Sequence, residues 1–131
     1  MIVADASVLL EALVGGGPRA EVVRDRLGAA RQVHVPHVVD REVAHALRRL
    51  VARELVGEAL AVAAIGRLQR LPLNRYPHGP FLDRIWELRA TVTPYDAAYV
   101  ALAEAVDAPL ITLDQRLAGA TGPACLIEVI A

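Results

Sequence analysis

Residues 2–7 read IVADAS and residues 110–114 read LITLD. Each is a short apolar run that ends at or near a carboxylate, Asp5 in the first and Asp114 in the second. Runs this short, with β-branched residues, suit strands buried on both faces. Between them the apolar spacing turns helical. Strands are predicted at Met1–Ala4, Val33–Val35, Leu71–Leu73, Pro109–Leu113 and Cys125–Ile130. Helices are predicted at Ser7–Val14, Arg19–Ala30, Val39–Arg53, Gly57–Gln69, Phe81–Arg89 and from Thr93 to Val106, with a helical turn at Gln115–Ala118 and a Pro/Gly-rich loop at Tyr76–Pro80. This alternation makes βαβ units, and therefore an α/β fold with a central parallel sheet flanked by helices. Ligands of such sheets sit beyond the carboxyl ends of the strands. Asp5 and Asp114 are both at such ends, so they share one rim.

The chain has 131 residues, which suits one domain spanning 1–131. Hydrophobic residues make up 55%, too many for a disordered chain. No apolar run is long enough to span a bilayer, and no basic leader precedes the first strand. The one cysteine, Cys125, has no internal partner and is expected to pack as a small apolar residue in the last strand. A single cysteine fits a reducing cytoplasm. The net charge is −1, so no overall basic field marks a nucleic-acid binder. All 14 basic residues are arginine. Without lysine, mechanisms that need one are excluded. The aromatic residues are Tyr76, Phe81, Trp86, Tyr95 and Tyr99, too few for an extended base-stacking platform.

Four acids stand out, and each has an ordinary structural use. Asp5 or Ser7 can cap the first helix, and Asp114 can cap Gln115–Ala118. Thr93-x-x-Asp96 resembles a capping box, with Pro94 at the first helical position. Glu42 lies within a long helix whose apolar stripe is Val43, Ala46, Leu47 and Leu50. At about 100° per residue it flanks that stripe, at the edge of the buried face. Capping does not compete with metal binding, because a cap also orients its carboxylate. Gathered in one pocket, four acids repel each other unless a cation neutralises them. The all-oxygen donor set suits Mg²⁺, or Mn²⁺ in its place, and no Cys/His set offers a zinc cage. Such a site suits phosphodiester hydrolysis.

The stretches IVADASVLLEAL (2–13), PHVVDREVAHAL (36–47), TPYDAAYVALAE (93–104) and PLITLDQRL (109–117) resemble PIN-domain ribonucleases. More narrowly, they are similar to the VapC toxins of bacterial type II toxin–antitoxin pairs, over essentially the whole chain. The resemblance implies a PIN-like three-layer α/β/α fold and an acidic metal site made of Asp5, Glu42, Asp96 and Asp114. Ser7 and Thr112 would be polar neighbours that hold carboxylates or bound water. It further implies Mg²⁺-dependent RNA cleavage leaving 5′-phosphate and 3′-hydroxyl ends, homodimers, and a VapB-type antitoxin that blocks the site. The operator DNA would be bound only by the toxin–antitoxin complex. Two departures from the family pattern are His45, where Asn is frequent, and Ala6-Ser7 in place of Thr-Ser.

Arg49 and Arg53, on the Glu42 side of the helix, and Arg116, beside Asp114, are candidates to meet RNA phosphates. A solvated surface is their plain alternative. His34 and His37 flank Pro36 and are expected to be structural. Gly15–Pro18 lacks a P-loop lysine and reads as a turn. Segments Ala44–Val51 and Leu55–Ile65 are candidates for a dimer seam or for docking an antitoxin helix, unless they simply cover the sheet. Two other readings compete. A PIN-like scaffold without catalysis is opposed by the intact acids. A phospho-receiver module needs a lysine and a phosphoacceptor Asp at the end of a middle strand, and neither is found in the sequence.

Overall fold

The computed structural model describes residues 1–131. Strand β1 (Ile2–Ala4) is buried at all three residues, as a strand covered on both faces requires. It leads into helix α1 (Ala6–Val14), capped by Asp5. Gly15 ends that helix where a Cβ would lie 2.4 Å from the Glu11 carbonyl oxygen, and Gly17 takes φ of 87° to open α2 (Pro18–Ala29). Then follow β2 (Val33–Pro36), α3 (Val38–Ala52), α4 (Glu58–Arg70), β3 (Leu73–Tyr76), α5 (Leu82–Glu87), α6 (Pro94–Val106), β4 (Leu110–Thr112), α7 (Gln115–Ala118) and β5 (Ile127–Val129). No helix is long and apolar enough to cross a membrane.

All five strands are parallel, in the order β3-β2-β1-β4-β5. The first three strands step outward in one direction, and the chain then returns to place β4 on the other side of β1. Right-handed crossovers therefore put α1–α4 on one face and α5 and α6 on the other. Accordingly α1 packs on α2, α3 and α4, while α6 packs on α5 and across β1, β2 and β4. The order reverses between β1 and β4, so the crevice at their carboxyl ends is the topological switch point. Helix α6 is buried at every residue from Ala97 to Ala103. Its alanines at 97, 98, 101 and 103 let the backbone approach the sheet closely.

The third strand differs from the expected Leu71–Leu73. Leu71 instead caps α4, donating its amide to the Arg67 carbonyl, and Pro72 lacks a ladder donor, so the strand begins at Leu73 and includes Tyr76. The expected loop is correspondingly shorter, and Gly79–Phe81 forms a 3₁₀ turn that takes Phe81 out of α5. Cys125 lies half-buried ahead of β5 rather than in it. Arg75 pins the edge strand β3 to α3 through paired hydrogen bonds to Asp40 at 2.9 and 3.1 Å.

Arg84 and Glu104 hold the segment before β5 against α6. Arg84 donates to both Glu104 oxygens at 2.7 and 3.0 Å and to the Gly122 carbonyl, and the Ala124 amide donates to Glu104. The guanidinium holds the Glu104 carboxyl below its ordinary value. A lowered acid pKa means that this contribution is present above the ordinary value of 4.5 and is lost as pH falls through the folded value. Glu104→Ala is expected to cost roughly 1–3 kcal/mol in urea unfolding at pH 7 and clearly less near pH 3.

Candidate active site

Asp5 follows the central strand and is 7% exposed. Its Oδ1 accepts from the Ser7 hydroxyl at 2.5 Å and the Val8 amide at 3.1 Å, and its Oδ2 accepts from the Thr112 hydroxyl at 2.5 Å. The two hydroxyls tie the end of β1 to the end of β4. Thr112 Oγ1 also accepts from the Asp114 amide at 3.0 Å, and Ser7 Oγ accepts from the Leu113 amide at 3.1 Å. One fully buried threonine therefore joins Asp5 to the residue that carries the second acid.

The other acids arrive from helix starts and a helix flank. Asp114 caps α7, its Oδ1 accepting from the Arg116 amide at 2.9 Å and Arg116 Nε at 3.4 Å, which leaves Oδ2 free. Thr93 caps α6 by accepting from the Asp96 amide at 3.3 Å, which sets Asp96 in the first turn. The caps expected from the sequence are thus real, and each one aims an acid. Glu42 is half-buried beside the stripe of α3, and its Oε1 accepts from the Tyr99 hydroxyl at 2.7 Å, leaving Oε2 free. Tyr99 sits on α6 in the core, so it links the two helices that carry Glu42 and Asp96.

Glu42 lies in the field of Asp96 and Asp5, and Asp96 in that of Asp5 and Asp114. Burial raises the Asp5 pKa against the pull of its hydroxyl and amide donors. Burial also raises Glu42, with Asp96 and Asp5 adding repulsion against the Tyr99 hydrogen bond. Asp96 is raised by burial, then by Asp5 and Asp114. Asp96, Asp114 and Arg116 line a cavity of about 280 Å³. As the side chains stand, no three acid or imidazole groups close around one point to grip an ion. The four acids thus line one rim rather than forming a closed cage. Asp5 commits both oxygens to internal donors, whereas Glu42 and Asp114 each commit one and keep the other free. The donor set is all oxygen with no cysteine or histidine in it, and it carries surplus negative charge. That chemistry fits a hard divalent cation.

Asp96→Asn provides an internal check. The raised pKa means that the folded state holds more protons than the unfolded chain between 3.8, the ordinary value, and the folded value. Stability therefore falls as pH rises through that window. Asp96→Asn is expected to unfold at higher urea than the wild type at pH 7, with the gap closing towards pH 4.

The remaining expected residues fall differently. Arg116 is at the rim, on Asp114. Arg49 and Arg53 are exposed further along α3, about 10 and 16 Å of helix beyond Glu42. The cavity beside Glu42 is lined instead by Arg41, His45 and Tyr95. His34 is structural, its Nδ1 paired with the Tyr76 hydroxyl at 2.7 Å. The role of Tyr99 was missed. Its signal was the three-residue spacing from Asp96, which puts both on one side of α6. Asp5 does end a central strand, so the strand-position objection to a phospho-receiver falls away. The chain nevertheless has no lysine, which such a module needs.

An acidic cluster at the switch point of a five-stranded parallel sheet, covered by helices on both faces, defines a class. The PIN-domain family model matches residues 2–122, and the chain belongs to that family. Within it the chain groups with the VapC ribonucleases. It is 46% identical over 129 residues to Ribonuclease VapC1 of Mycobacterium tuberculosis, covering 98% of this chain and 96% of the relative. Among solved structures it is similar to Mycobacterium tuberculosis VapC20, a toxin that cleaves the sarcin–ricin loop. That fold match has a TM-score of 0.73 at 17% identity and covers all of both chains. It is also similar to VapBC2 of Rickettsia felis bound to a DNA fragment from its promoter, with a TM-score of 0.71 at 13% identity over 98% of each chain.

Proposed function

We propose that residues 1–131 act as one PIN domain that hydrolyses RNA phosphodiester bonds with Mg²⁺, as the toxin of a VapBC-type pair. The observation that carries this reading is the hydrogen-bonded arrangement at the switch point, where Thr112 ties Asp5 to the Asp114 backbone and Tyr99, one turn from Asp96, holds Glu42, with Arg116 on Asp114 the one guanidinium paired to any of the four acids. Acids are held together against their own charge where a cation is to be received. Asp5, Asp96, Asp114 and Glu42 are the residues that would hold it. When bound, the cation supplies positive charge to the scissile phosphate and acidifies the attacking water. The chain's own groups do the rest. Ser7 and Thr112 fix Asp5, Tyr99 fixes Glu42 with Oε2 free to orient a water, and Arg116 brings a guanidinium to the phosphate side of Asp114.

The 46% identity to Ribonuclease VapC1 supports RNA as the substrate, and the lone cysteine, Cys125, is in keeping with a cytoplasmic site of action. The VapBC2 likeness supports a VapB-type antitoxin and operator binding through the complex. Leu55, Leu60 and Val62 are exposed at and near α4. They offer apolar surface that an antitoxin helix or a second copy in a homodimer would cover. The test is incubation of the purified chain with end-labelled RNA. Cleavage with Mg²⁺ or Mn²⁺ and none with EDTA is expected, and cleavage that persists unchanged in EDTA would overturn the metal reading.

A further inference from the structure

Beside Glu42 two cavities adjoin. The larger, about 520 Å³, is bounded by Arg41, Glu42, His45 and Tyr95, so one of the four acids forms part of its wall. The smaller, about 160 Å³, is a mostly apolar slot reaching Leu82, Ile85 and His78. Val38, Arg41 and Tyr95 line both, so they form one groove with a polar and an apolar lobe. Tyr95 is 61% exposed and immediately precedes Asp96. Arg41 is exposed as well. It has no hydrogen bond or ion pair inside the chain. The Val38 amide donates to His78 Nε2 at 3.1 Å, so the neutral ring carries its proton on Nδ1. Burial, with His37 and Arg41 nearby, keeps that ring below its ordinary pKa, in the neutral form.

We propose that this groove takes one unstacked nucleobase of the RNA, next to the bond that is cut. The inference rests on the ribonuclease reading above. The base lies against Tyr95 in the apolar lobe, Arg41 meets the adjoining phosphate, and the His78 Nδ1–H donates to an acceptor on the base edge. Splayed bases stacked on aromatic rings and read at their edges are how proteins distinguish RNA sequences. A neutral flat group suits the apolar slot, and its anionic linkage suits the unpaired guanidinium. The low aromatic content excludes a platform for many bases, and one exposed ring serves one base.

The test is cleavage of a random-sequence RNA pool with Mg²⁺, followed by sequencing of the new ends, for the wild type, Tyr95→Ala and Tyr95→Phe. The wild type is expected to favour certain bases at one position beside the cut. Tyr95→Ala should flatten that preference and raise KM roughly tenfold or more, with a smaller change in kcat, while Tyr95→Phe keeps both. If Tyr95→Ala cuts with unchanged preference and KM, the base slot is overturned and the ribonuclease reading stands. If Tyr95→Ala instead turns a dimer into a monomer with preference unchanged, the groove belongs to a second copy and the slot is again overturned. If the wild type cuts no RNA with Mg²⁺ or Mn²⁺, both readings fall.

Discussion

Asp5→Asn is expected to lower RNA cleavage roughly 10³-fold or more while the chain still folds. The loss follows from the work assigned to the carboxylate. Metal stabilisation of the transition state is worth several kcal/mol, and each 1.36 kcal/mol is about tenfold in rate. The fold survives because asparagine keeps one oxygen for the Ser7 hydroxyl and the Val8 amide. Its NH₂ group can turn to Thr112 Oγ1, a hydroxyl able to accept a second hydrogen bond. Removing the charge also relieves repulsion on Glu42 and Asp96. The variant is thus expected to melt no lower than the wild type without metal at pH 7. Gel assays of labelled RNA alongside thermal denaturation check both halves. Near-normal Mg²⁺-dependent cleavage by Asp5→Asn would remove Asp5 from the site.

Thr112→Val is expected to damage activity and stability together. The threonine hydroxyl donates to Asp5 Oδ2 and accepts from the Asp114 amide, in a position with no solvent exposure. Valine fills the same space and offers neither bond. A buried carboxylate oxygen and an amide then lose partners, at a cost of roughly 1–3 kcal/mol. Both acids also lose the link that sets their spacing. Losing groups that orient metal ligands typically costs 10- to 100-fold, which is the expected fall in cleavage. Thr112→Ser should recover most of both. A Thr112→Val variant with full activity would show that the β1–β4 bridge does not position the acids.

The fold and the site were legible to different depths. Asp5 and Asp114 could be placed on one rim because apolar strands ending on carboxylates imply the carboxyl edge of a parallel sheet. The company of Asp96 and Glu42 was not available from spacing. It came from the resemblance, because distances across layers leave no local pattern. Strand β3 was misplaced because an edge strand carrying Asn74 and Arg75 lacks apolar alternation, and because Pro72 marks the true end of the preceding helix connection. The hydroxyl bridge through Ser7 and Thr112 joins residues more than a hundred positions apart, which periodicity cannot register. The arginines beside Glu42 were assigned by helical phase to Arg49 and Arg53. The wall of the cavity is set where the first turns of α3 come near Tyr95 at the start of α6, and it includes Arg41.

The central claim is that these four acids receive a divalent cation. Crystals soaked in Mn²⁺ and measured at the manganese absorption edge test it directly. The expected result is an anomalous peak among Asp5, Glu42, Asp96 and Asp114, absent from Asp5→Asn crystals. A manganese peak bound elsewhere, or none among these acids in protein that cuts RNA with Mn²⁺, would contradict it.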